Sequence, residues 1–121
     1  MELEINGKTY SFIFGIGWLQ AINKKFFVDK RAQEIGMNTG LDVLAMNFAK
    51  RDPQMLVDIL KIANNTEKEK VSVNDIYEYI KENGITDLYD EVIETLKKDA
   101  FLGESMTIAI ETLANNVKQA N

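Results

Sequence analysis

A chain of 121 residues is of one-domain length, and 45% hydrophobic residues with 27% charged, 7 Gly and 1 Pro describe a compact globular fold instead of a disordered or fibrous one. With 0 Cys and 0 His, it has no thiol nucleophile, no disulfide, no zinc site built on imidazole or thiolate and no triad with an imidazole base. The net charge of -5 argues against a nucleic-acid binder, because affinity for phosphates rests on clustered Lys and Arg.

The charge is uneven: residues 1–61 carry 8 basic and 7 acidic groups, and residues 62–121 carry 6 basic and 12 acidic groups, so the acidity belongs to the second half. The chain opens Met1-Glu2-Leu3-Glu4 without a basic, apolar leader. Its longest apolar stretch, Phe12 to Leu19, falls far short of the ~20 residues that span a bilayer. These features predict a cytosolic protein without a membrane segment.

In chain order, Leu3 and Ile5, then Tyr10, Phe12 and Phe14, alternate with polar residues and Ile13 on either side of Asn6-Gly7. Asn-Gly accepts the positive φ values of a type I′ turn, so a two-residue hairpin is expected, pairing Leu3 with Tyr10 and Met1 with Phe12. One face then carries Leu3, Ile5, Tyr10, Phe12 and Phe14. Two strands alone are marginal in water, so helices must cover that face.

After Gly15 the period becomes helical, with Ile16, Leu19, Ile22 and Phe26 inward and an end near Phe27. Residues 29–39 read as a loop or short frayed helix. Thr39 with Asp42 resembles a capping box opening a helix with Leu41, Leu44, Ala45 and Phe48, stopping near Arg51. Asp52 then caps a helix with Pro53 in its first position and Leu56, Ile59, Leu60 and Ala63 inward. Asn64 to Lys70 is a polar connector and the expected mobile loop. Ser72 or Asn74 caps a helix of Val73, Ile76, Tyr77 and Ile80 closed by Gly84; Thr86 caps the next, with Leu88, Tyr89, Val92, Ile93 and Leu96, closed by Gly103. A last helix starts near Ser105. The reading is a mainly α (α+β) fold in one domain over 1–121, with a hairpin in 1–14 and about six helices in 15–121.

Motifs that could carry chemistry are weak. Gly15-Ile16-Gly17-Trp18-Leu19-Gln20 lies where a dinucleotide fingerprint would, but Gln20 replaces the third Gly and the strand before it belongs to a hairpin; two small residues that let the chain turn and Trp18 pack closely explain it better. Asp87, Asp90, Glu91 and Glu94 share one helix face, which without His is better read as a solvated face than as a divalent-metal site. Glu104-Ser105-Met106 resembles the pantetheine-bearing serine of acyl carrier proteins, but only one helix follows it, which favours a helix cap. Lys24, Lys25, Lys30 and Arg31 form the one basic cluster and read as an ordinary solvated surface. No catalytic, metal or cofactor residue is expected.

Apolar surface remains. Phe12, Phe14, Trp18, Phe26 and Phe27 crowd the first quarter of the chain, more than a hairpin and one helix can bury. Either later helices cover them, or they form a patch for a protein partner or a second copy; as candidate protein-binding residues they are the strongest in the sequence.

The opening Met1 to Gly15, then Leu41 to Phe48, Leu56 to Asn64 with Thr66-Glu67-Lys68, and Val71 to Ile80, resembles the tail assembly chaperones of siphophages and prophages of Gram-positive bacteria, over nearly the whole chain. That resemblance implies a non-enzymatic protein of the host cytoplasm that coats the tape measure protein before the tail tube forms and is absent from the virion. It implies a longer frameshifted form as a further partner, and self-association into a homo-oligomer fits the charge asymmetry. Two other classes stay open on composition: an acidic adaptor or inhibitor that mimics nucleic acid and binds a basic protein, and a carboxylate-metal enzyme, which divalent cations would stabilise.

Overall fold

The computed structural model describes residues 1–26 and 40–120, with Phe26, residues 40–43 and residues 114–120 described by backbone alone. The expected loop at 29–39, the Thr39 cap and Phe27 lie outside the described residues.

Strands β1 (Glu2–Ile5) and β2 (Lys8–Ser11) form a two-stranded antiparallel sheet. Asn6 and Gly7 both have positive φ, 53° and 77°, as a type I′ turn requires. The register follows from that turn: Leu3 faces Tyr10, and Phe12 donates its N–H to the Met1 carbonyl at 2.8 Å. Leu3, Ile5, Tyr10, Phe12 and Phe14 are all buried on the covered face.

Six helices follow among the described residues: α1 (Ile16–Phe26), α2 (Gly40–Lys50), α3 (Pro53–Asn64), α4 (Val73–Asn83), α5 (Ile85–Lys98) and α6 (Gly103–Ala120). The mainly helical fold behind a hairpin is as the sequence predicts. Asp52 caps α3 by accepting the Gln54 N–H at 2.9 Å, with Pro53 in the first turn. Ser72 caps α4 by accepting the Asp75 N–H at 3.0 Å. Gly84, at φ 84°, separates α4 from α5.

The centre is α3. Met55, Leu56, Val57, Ile59, Leu60, Ala63 and Asn64 are buried, including consecutive residues, so this helix is enclosed on most of its circumference. Around it α1 packs on α2 and α3, α4 on α3, α5 and β1, and α6 on α2 and α5. The buried side chains form one apolar cluster from Leu3 to Met106.

The segment after α3 is tied down, where a mobile loop was expected. Asn64, 1% exposed, donates through Nδ2 to the carbonyls of Ser11 and Glu69, both at 2.9 Å. Its Oδ1 accepts the Val71 N–H at 2.8 Å. One amide thereby joins β2, the end of α3 and both sides of the connector. Lys8 and Glu69 pair at 2.8 Å across the same junction, and that contact raises the Lys8 pKa.

Two inward faces and two helix boundaries differ from expectation. Ile16 is exposed, and Trp18 takes the inward place with Ile22 one turn later. Val73 and Tyr77 are exposed on α4, where only Ile76 is fully buried. No side chain caps α5, so Thr86 does not play that part. Gly103 opens α6 instead of closing α5, which ends at Lys98 with Asp99 as its C-cap, and Ser105 lies inside α6.

Candidate protein-binding surface

Phe12, Phe14 and Trp18 are core residues, at 1%, 8% and 5% exposure. Their position follows from the hairpin and from α3. The alternation of β2, continued past its end at Ser11, turns Phe12 and Phe14 inward, and the Trp18 indole N–H donates to the Ile59 carbonyl at 3.2 Å. Phe14 meets Trp18 edge to face, with ring centroids 5.3 Å apart. The surface these three offer is therefore turned into the core, Trp18 against α3, and a partner could reach it only if the core opened. The side chains of Phe26 and Phe27 lie outside the described residues. Gly15 and Gly17 have nothing within 4 Å of where a Cβ would stand, so close packing is not why they are small.

The apolar residues that do face outward are others: Ile13, Ile16, Val73, Tyr77, Phe101 and Ile108. Ile13, just past β2, is the outward residue between buried Phe12 and Phe14. Tyr77 has a polar partner, its hydroxyl donating to Gln54 Oε1 at 2.9 Å. Phe101, 70% exposed, stands in the turn between α5 and α6. Sequence reasoning passed over Phe101, although one signal was available: it falls between the last inward residue of one helix, Leu96, and the first of the next, and fits neither periodicity.

The polar groups that could have suggested chemistry serve packing. On α5, Asp90 pairs with Arg51 Nη2 at 2.6 Å, and Lys97 lies 4.0 Å from Glu94. Among the described residues no three acidic side chains are grouped to hold a metal ion. Lys25, of the basic cluster, pairs with Asp58 at 3.4 Å. Arg51 ends α2 at φ 53° and lies 5.5 Å from the Tyr89 ring centroid; its Nη1 is buried without a hydrogen-bond partner. The Tyr89 hydroxyl donates to the Asp52 carbonyl. Burial, then the nearby Asp52 charge, raises the Tyr89 pKa, against smaller opposing effects of Arg51 and the Leu56 backbone. Among the described residues no helix is long and apolar enough to cross a membrane.

A hairpin roofed by helices, a core that encloses Phe12, Phe14 and Trp18, and a set of outward apolar side chains define a small helical protein whose distinguishing feature is its surface. Residues 2–108 match the family of phage tail assembly chaperone proteins, TAC, and the chain belongs to that family. No curated protein and no solved structure matches it. The matched range holds the hairpin, α1 to α5, the turn that carries Phe101 and the start of α6. The family gives the protein its role in phage tail assembly as a chaperone.

Proposed function

We propose that this protein binds the tape measure protein of a siphophage or prophage of Gram-positive bacteria and keeps it soluble in the host cytoplasm until the tail tube forms around it. It acts without catalysis, as one domain, and leaves before the virion is complete. The observation that carries the reading is the family match over residues 2–108. A tape measure protein is long and helical, with apolar stripes open to water before assembly; shielding them calls for outward apolar side chains on a fold that stays closed. The exposed Ile13, Ile16, Phe101 and Ile108 above an enclosed core fit that requirement. Phe26 and Phe27 belong to the proposed contact set with them. A second copy of the chain and a longer frameshifted form are the further partners of this reading.

Co-expression tests it. A tape measure fragment that is insoluble alone should move to the soluble fraction with this protein and elute with it on gel filtration. Equal precipitation with and without the protein would refute the reading.

A further inference from the structure

The turn between α5 and α6 is built to hold an aromatic side chain outward. Asp99 Oδ1 accepts the N–H groups of Phe101 and Leu102 at 2.9 and 3.0 Å, and the Asp99 carbonyl accepts that of Gly103 at 2.9 Å. A Cβ on Gly103 would stand 2.2 Å from the Lys97 carbonyl oxygen, so the two helices meet there with no room between backbones. Leu102 and Gly103 are buried while Phe101, between this pair and Asp99, is 70% exposed. Fixing beforehand the backbone that carries a side chain lowers part of the entropic cost of binding through it, and aromatic anchors contribute most at protein interfaces.

The stripe beyond Phe101 has a charge pattern. On α6, Glu104, Ile108 and Glu111 are three or four residues apart and exposed, on the side away from buried Met106. Phe101 stands two residues before α6 and precedes Ile108 by seven. Glu104 and Glu111 are the only charged residues between 103 and 113; on α5, Asp87, Glu91 and Glu94 are exposed as well. Lys97 and Lys98 precede the corner, the former close to Glu94.

Resting on the tape measure reading above, we propose that Phe101 and Ile108, flanked by Glu104 and Glu111, dock an amphipathic helix whose apolar stripe is bordered by Lys or Arg. The two apolar side chains supply the contact area, and the carboxylates select a cationic border and repel an acidic one.

Three dye-labelled helical peptides test this by fluorescence anisotropy: a Leu stripe bordered by Lys, the same stripe bordered by Glu, and the Lys border with Ala in place of Leu. Wild type should bind the first, less tightly as salt rises, and at least about tenfold more tightly than either of the others. Phe101→Ser and Ile108→Ser, both at exposed positions, should each weaken that binding about tenfold with an unchanged melting temperature. Absence of binding to the Lys-bordered peptide, equal binding of the Glu-bordered one, or full binding by both variants would overturn the proposal. A tape measure fragment separates the two readings: if both variants keep it soluble as well as wild type does, the docking surface is wrong and the chaperone role stands; if wild type also fails, the role itself falls.

Discussion

A methyl group is enough to disturb the corner at Gly103. Alanine there would place its Cβ 2.2 Å from the Lys97 carbonyl oxygen, a backbone atom that cannot swing aside. Gly103→Ala should therefore destabilise the protein by about 1–3 kcal/mol, seen as a fall of several degrees in melting temperature. Gly15→Ala, with open space around it, is the control and should shift stability by less than about 0.5 kcal/mol. The sequence shows a glycine after a helical pattern and suggests a C-cap; the actual demand comes from a tertiary approach that no local pattern encodes. Asn64 is a similar case. It sits in a polar stretch that reads as a loop, yet its amide satisfies two carbonyls and one N–H in a buried place. Asn64→Leu keeps the volume and orphans all three, so a loss of about 2 kcal/mol or more is expected in urea unfolding. Gly7, by contrast, was legible, because Asn-Gly is a local signature of a turn whose φ values only such residues adopt readily.

At the scale of elements, the corner from α2 to α3 is held to α5 by Tyr89. Its ring meets Phe48 edge to face at 5.8 Å, and its hydroxyl donates to the Asp52 carbonyl that also accepts the Leu56 N–H and so opens the α3 ladder. Burial raises the Tyr89 pKa above its ordinary value of 10.0. The sign of the linkage is definite: with the folded value above the unfolded one, the stability due to neutral Tyr89 is complete below about pH 10 and is lost as the pH rises toward the folded value. Tyr79 is raised in the same direction by its partial burial and by Glu91, so the variant must be compared with wild type and not with a flat line. Tyr89→Phe should cost about 1 kcal/mol at pH 8, since the Asp52 carbonyl keeps its Leu56 partner, and should fall less steeply between pH 10 and 11. Parallel losses in urea midpoint over that range would show that Tyr89 titrates as it does in the unfolded chain. The caps that bound these helices, Asp52 with Pro53 and Ser72, were readable because capping needs only neighbouring residues. Which of Ile16 and Trp18 turns inward on α1 was not, because the Ile59 carbonyl that receives the indole N–H lies 41 residues away.

The same non-locality governs the molecule as a whole. The five Phe and Trp residues in the first quarter of the chain left two outcomes open, core or partner surface, and the fold decides for Phe12, Phe14 and Trp18 by burying them. The apolar cluster that receives them runs from the hairpin to the start of α6 without interruption, linking residues from both the near-neutral and the acidic halves. Ion pairs cross that boundary as well, Lys8 with Glu69 and Arg51 with Asp90, but exposed pairs of this kind contribute at most about 1 kcal/mol each, far less than burying even a few of the shared Leu and Ile side chains. Burial should therefore make the two halves unfold together, and the single tryptophan offers a direct probe. Trp18 reports the contact of α1 with α3, whereas far-ultraviolet circular dichroism reports all helices, α4 to α6 included. In urea the two signals should share one midpoint and one slope, and Gly103→Ala, distant in sequence from Trp18, should move both by the same amount. A tryptophan transition that precedes the loss of helix, or stays in place when Gly103 is changed, would mean that the acidic half folds as a separate unit.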